Sequence, residues 1–234
     1  MKPILQIVFA VVLAAGLIGC GGGGGGGATT ASAPVASTNA FNIKSGYVTL
    51  ESNGYTKTFA ISGTCAGTLT ITSGAINTAT TFEGVSAISG TRQTSLNLTN
   101  CTPSSISDTT IRYFDSNYMP LGSSVQGGEY IVYAGTPNVS TAARVGDVVV
   151  VGSANSYTDS TKTTSAGRTD YTYVMEPETA TTAILNLIGK NYNASNVLTS
   201  TEQDRYRVAA NGALTPISLD IQYSNGSTTH LIGN

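Results

Sequence analysis

Tryptophan is absent from this 234-residue chain, histidine occurs once, and charged residues make up only 10%. With His230 as the sole histidine, a histidine-rich zinc centre is excluded. Lys and Arg total 11 and nowhere cluster, so the basic face of a nucleic-acid binder is missing and nucleic acid is not an expected partner. No serine sits in a Gly-x-Ser-x-Gly elbow, and no phosphate loop or dinucleotide fingerprint occurs. Nor is there an apolar run of the ~20 residues that a membrane-spanning helix needs.

What is present begins at the amino terminus. Lys2 gives a positive start, Ile4 to Ile18 is apolar except for Gln6, and small residues follow, which is the layout of an export signal. The next residues are Leu17-Ile18-Gly19-Cys20, an aliphatic residue, a tolerated residue, a small residue and a cysteine. This run resembles the lipobox of bacterial lipoproteins. The resemblance implies cleavage between Gly19 and Cys20, a diacylglyceryl group on the Cys20 sulfur and acylation of the new amino terminus. A thiol is the good nucleophile that thioether formation requires. Several acyl chains, at about 0.8 kcal/mol per buried methylene, hold a surface far more firmly than one.

Residues 20–40 read as a lipidated cysteine followed by a tether: seven glycines, then an Ala/Ser/Thr-rich stretch without charge. A Gly-rich coil of about twenty residues has an r.m.s. reach of about 25 Å. The folded part looks like that of Gly-tract lipoproteins of Gram-negative cell envelopes, which implies a place and no activity. In lipoproteins of those bacteria a non-acidic residue after the cysteine, here Gly21, goes with the outer membrane. Which face of that membrane holds the chain is left open.

Two cysteines remain, Cys65 and Cys101. An even number in an exported chain points to a disulfide, the alternative being two reduced buried thiols. Closing that loop contributes about 3 to 4 kcal/mol in the chain-entropy account.

From residue 41 onward, short alternating stretches rich in Thr, Val, Ile and Tyr are separated by Gly, Asn, Ser and Pro. This is the pattern of antiparallel β structure, and the expected fold is an all-β sandwich or meander. Strands are expected at Tyr47 to Leu50, Thr58 to Ile61, Thr68 to Thr72, Ser95 to Thr99, Tyr130 to Tyr133, Val148 to Val151, Tyr171 to Val174 and Ala183 to Ile188. Val197 to Val208 is a long strand returning from the turn-rich 192–196. Ile217 to Tyr223 pairs with Thr228 to Ile232 across Asn225-Gly226, a type I′ turn signal. The leading reading is that the loop from Gly135 to Thr141 divides an N-terminal unit, 41–135, which holds the cysteines, from a C-terminal unit, 143–234; the alternative is a surface loop within a single sandwich.

Candidates for chemistry are few, and no catalytic residue, metal ligand or cofactor site is assigned. His230 is the one base available to a serine hydrolase. Glu176 with Glu178, and Glu202 with Asp204, are the local carboxylate pairs of the kind glycosidases use, while Pro177 makes the first pair look like a turn. The charges Glu202, Asp204, Arg205 and Arg207 are expected on a solvated face or in cross-strand pairs. Asp115-Ser116-Asn117 begins like a calcium loop, but Pro120 stands where its glycine belongs. Tyr113, Tyr118, Tyr130 and Tyr133 fall close together, and Tyr171 and Tyr173 share a strand face, as ordinary sheet residues or a weak sugar platform.

The inventory points to a non-catalytic binding or structural module, held to a membrane by its lipid and meeting an envelope protein or glycan. A carrier of an apolar ligand in a β half-barrel is the second reading, and a hydrolase using His230 the third. Cys20→Ser should abolish lipid labelling and release the chain from the membrane fraction. A labelled, membrane-bound Cys20→Ser product would disprove the anchor.

Overall fold

The computed structural model describes residues 33–63, 65–99 and 101–233, so Cys20, the signal and most of the tether lie outside the described residues. One helix, α1 (Ile43–Asn53), precedes thirteen strands: β1 (Tyr55–Gly63), β2 (Ala66–Ser73), β3 (Thr78–Phe82), β4 (Val85–Thr99), β5 (Ser105–Phe114), β6 (Pro120–Val125), β7 (Tyr130–Tyr133), β8 (Val148–Tyr157), β9 (Ser165–Pro177), β10 (Ala183–Asn193), β11 (Leu198–Val208), β12 (Leu214–Tyr223) and β13 (Thr228–Gly233). All pairings are antiparallel. Each strand from β4 to β13 lies beside its chain neighbour, β13 pairs with β1, and β2 pairs with β4. The result is a closed, twelve-stranded barrel with β3 as an extra strand.

Two expectations are corrected here. The all-β, antiparallel class holds, but the two small units are one barrel. The loop at 135–141 merely connects β7 to β8, which pair with each other (Tyr130↔Tyr157). The half-barrel likewise closes. Local alternation specifies strands, whereas closure depends on pairings between residues as far apart as Phe59 and Gly233, which no local pattern encodes.

Tyr47 to Leu50 is the second correction, being helix rather than strand. Ile43, Tyr47 and Leu50 recur at helical spacing, and both ends are capped. The Asn42 side chain accepts from the Ser45 N–H at 2.9 Å. Gly54, at φ 71°, donates its N–H to the Leu50 carbonyl at 3.0 Å. Smaller differences concern turns and strands. At Asn225-Gly226 only the glycine takes positive φ, 88°, and the Tyr223 N–H reaches Ser227 at 2.9 Å, so the hairpin is not type I′. Strands β3, β5 and β6 are not expected from the sequence: β3 and β6 are short and rich in Ser or Thr, and the inward row of β5 carries Asp108, Thr110 and Arg112, which hides its alternation.

The wall alternates. Phe59, Ile61, Leu69, Leu96, Leu219, Ile221 and Leu231 form an inward apolar cluster on one side of the lumen. Outward positions on the same strands are mostly polar, with Ile232 an exception: Thr58 and Thr70 hydrogen-bond across β1 and β2, and Asp220 of β12 joins Arg205 of the neighbouring β11 at 2.5 Å. The turns β1–β2, β4–β5, β6–β7, β8–β9, β10–β11 and β12–β13 gather at one end, the mouth. There Cys65 and Cys101 form a disulfide between the β1–β2 and β4–β5 turns.

The opposite end is closed by α1 and the segment before it. Val35 bridges to Glu178, Phe41 bridges to Ala143, and Ser37 donates to the Ala180 carbonyl at 2.9 Å. Thus the last part of the expected tether is fastened to the barrel. Phe41 and Ile43 join Tyr173, Met175, Ala183, Leu185 and Val208 in a second apolar cluster. Outside the wall, β3 folds over β5–β7: the Phe82 ring stacks on Tyr113 at 4.4 Å and on Tyr130 at 5.4 Å, over Gly122.

The helix sits so close to the β11–β12 turn that a Cβ on Gly46 would lie 2.0 Å from the Gly212 carbonyl oxygen. Backbone on both sides leaves no flexible group to yield. Gly46→Val should therefore displace α1 and cost about 1–3 kcal/mol, read from urea unfolding. An unchanged midpoint would show that the helix does not plug the barrel.

Candidate functional site

Between the two apolar clusters runs a polar layer built from both helix and wall. Glu51, on the last turn of α1, is 4% exposed and is held by Arg112 of β5 through an ion pair. Its other oxygen lies 4.0 Å from Arg92 of β4. Arg112 also donates to Ser73 at 2.5 Å and lies 5.5 Å from the Phe114 ring centroid. Alternation puts Arg92 in line with inward Leu96 and Leu98, which is why a guanidinium stands in the lumen at all. Its Nε is buried and has no hydrogen-bond partner among the described residues.

The same alternation carries Glu202 and Asp204 inward. They pair in register with Ile221 and Leu219 of β12 and with Gly189 and Leu187 of β10, all lumen-facing. This corrects the expected solvated face for these two. Arg205 and Arg207 do point out, Arg205 reaching Glu176 and Asp220, and Arg207 donating from Nε to Glu178 at 2.7 Å. Enclosure raises the pKa of Glu202, countered by Arg92. Asp204 is pushed well above the usual carboxylate range, by enclosure first and then by the Glu202 charge.

A cavity of about 520 Å³ opens at the mouth beside the first apolar cluster. Its lining includes Glu129, Ile131, Ser156, Tyr171, Glu202 and Tyr223. Glu129 is 8% exposed, and burial raises its pKa while a hydrogen bond with Ser156 lowers it. Tyr171 stacks on Tyr133 at 5.9 Å, and burial pushes both phenols up. Arg168 stands at the rim, held by Asp170 at 3.1 Å and stacked 4.2 Å above Tyr192. A smaller cavity of about 120 Å³ lies against α1, lined by Tyr47, Glu51, Tyr55, Tyr133, Tyr206 and apolar residues.

The remaining sequence candidates fall elsewhere. His230 is on the outer face of β13, hydrogen-bonded to Asp220, and Ser62 of β1 lies opposite it in register. A serine, histidine and aspartate thus share a row. That row stands on an open wall whose backbone N–H groups serve the strand ladder, so it offers no oxyanion hole. Glu176 and Glu178 are occupied by Arg205 and Arg207. The Asp115 carboxylate caps its own turn, accepting from Asn117 and Met119 at 2.8 Å. Among the described residues no three His, Cys, Asp or Glu side chains are grouped to hold a metal ion. Tyr113 and Tyr130 pack outside under Phe82, Tyr133 and Tyr171 inside, and Tyr118 turns the chain at φ 62°.

Glu51, Arg92, Arg112 and Glu129 were not singled out from sequence. For Arg92 the signal was its place on the apolar face of an alternating strand. For Glu51 it was the spacing of four from Tyr47 on one helix face.

The fold and cavity define a class: a plugged, closed antiparallel barrel with a pocket at its open end. Comparison with known proteins found no matching family model, no matching curated protein and no matching solved structure.

The raised carboxyls have a pH consequence. In the fold they keep protons over a range where the unfolded chain has released them. Their contribution to stability is fully present below the ordinary carboxylate pKa of about 4 and is lost as pH rises through the raised folded values. Asp204→Asn removes one contributor. Its urea midpoint should gain on that of the wild type as pH goes from about 5 to about 8. A constant difference across that range would show that Asp204 ionises as it does in water.

Proposed function

We propose that this chain is a non-catalytic envelope protein that binds a small molecule in the mouth of its barrel. The observation that carries the reading is the cavity, whose 520 Å³ falls within the ~300–1,000 Å³ of ordinary ligand sites. Its walls are mostly inward side chains of strands β7 to β12, paired with their neighbours, with Glu129 added from just before β7. They combine the aromatic and aliphatic surface of Tyr171, Tyr223, Ile131 and Ile221 with the polar groups of Glu129, Ser156, Asn191 and Glu202. An apolar ligand fits that lining poorly, since it would bury the carboxyl groups without partners. An amphipathic one fits well.

The lipobox supports attachment through Cys20, to the outer membrane by the residue that follows it. The outer wall carries Arg205, Asp220, Glu176 and Lys190 where a membrane-crossing barrel has an apolar band ~25 Å tall, so the lipid rather than the wall would make the membrane contact. Because Val35 and Phe41 are fastened at the closed end, an anchor at Cys20 would hold the barrel there, with the mouth at the other end.

Ser200 projects into the cavity from β11 and accepts from Asn191 at 3.1 Å. Ser200→Trp should fill the mouth without touching the outer wall. Native mass spectrometry of the chain with a charge-balanced fragment library should show one-to-one adducts, reduced at least about tenfold in Ser200→Trp. Equal adducts with both proteins, or none with the wild type, would overturn the reading.

A further inference from the structure

Resting on that reading, the charge inventory of the lumen indicates which ligands the cavity favours. Facing inward among the described residues are the carboxyl groups of Glu51, Asp108, Glu129, Glu202 and Asp204, against the cations Arg92, Arg112 and Lys57. Arg112 is taken by Glu51. Lys57 lies low in the wall against Gly233, away from the cavity lining. At the rim Arg168 is held by Asp170, by Asn196 and by the Tyr192 ring. Among the described residues Arg92 is thus the cation set against the Glu202 and Asp204 pair, and it also faces Glu51.

Glu129, just before β7, and Glu202 of β11 reach the cavity itself. Glu129 is buried with the Ser156 hydroxyl as a hydrogen-bond partner. Glu202 faces Arg92 and makes no ion pair at contact distance among the described residues. Between them the wall is aromatic and aliphatic: Tyr171, Tyr223, Ile131 and Ile221. Two carboxyl groups short of counter-charge, set among rings with electron-rich faces, form a poor site for an anion. A cation gains from both.

We propose that the cavity takes a small organic monocation, a protonated amine on a compact aromatic or aliphatic body, with Glu202 and Glu129 as its counter-charges and Tyr171 and Tyr223 as its walls. The ammonium group donates to the carboxylates, which lose the cost of standing uncompensated inside the barrel. The apolar body covers Ile131 and Ile221. A neutral molecule of the same shape would keep the second contribution and forgo the first.

Three near-isosteric probes separate these contributions: 2-phenylethylamine, 2-phenylethanol and phenylacetate, titrated calorimetrically into the chain at neutral pH. The amine should bind at least about tenfold more tightly than the alcohol, and phenylacetate more weakly still. Glu202→Gln should weaken the amine about tenfold and leave the alcohol unchanged, and Glu129→Gln should act in the same direction. Thermal unfolding of both variants checks that the barrel is intact. Equal affinity for amine and alcohol, tighter binding of phenylacetate, or an amine affinity indifferent to both substitutions would overturn the proposal. If neutral or anionic library fragments bind as tightly as amines of the same shape and Ser200→Trp blocks them, the cation assignment fails while the binding reading stands. Absence of any adduct removes both.

Discussion

Twelve strands closed edge to edge enclose a lumen wider than eight, and wall side chains alone do not fill it. Here the filling is a helix, and a charged residue fixes where that helix stands. Glu51 meets Arg112 and faces Arg92, both presented by the wall, so the plug is keyed to strands β4 and β5. Stranding either partner in the interior would cost several kcal/mol, which makes the arrangement specific even if its net contribution to stability is modest. Gly46 and Gly212 permit the close approach that this position demands, and Phe41 and Ile43 bury the helix's start.

The plug divides the lumen into unlike halves. At the closed end apolar residues pack around Tyr173, Met175 and Val208 and leave the smaller cavity against α1. At the mouth the cluster around Leu96 and Leu231 fills one side only, and the cavity occupies the other. The disulfide ties two turns of the rim across from it. Carboxyl groups in the space left over are partly removed from water without full partners, so they hold protons more tightly than in solution. The same feature that costs stability near neutral pH gives the cavity its chemical character.

Much of the wall was legible. Strands such as β7 and β12, and the β10–β11 and β12–β13 hairpins, follow from alternation and from Asn- and Gly-containing turns, because side-chain period and turn residues are local properties. Helix α1 was misread since Tyr47-Val48-Thr49-Leu50 alternates over four residues, too short a window to separate periods of 2 and 3.6. Glu202 and Asp204 show a deeper limit. Their spacing put them on one face, but whether that face meets water or the lumen depended on barrel closure.

The sequence by itself determined the all-β class, the pairing expectation for Cys65 and Cys101, and the lipobox that places Cys20 at the head of the mature chain as an expectation. Each rests on neighbouring residues or on a count. Only the tertiary structure decided that the strands close, that a helix plugs them, and that Glu51, Arg92, Glu202 and Asp204 share one enclosed layer. Those outcomes depend on contacts between residues far apart in the chain. Charge buried inside a barrel looks, in the sequence, the same as charge on its surface.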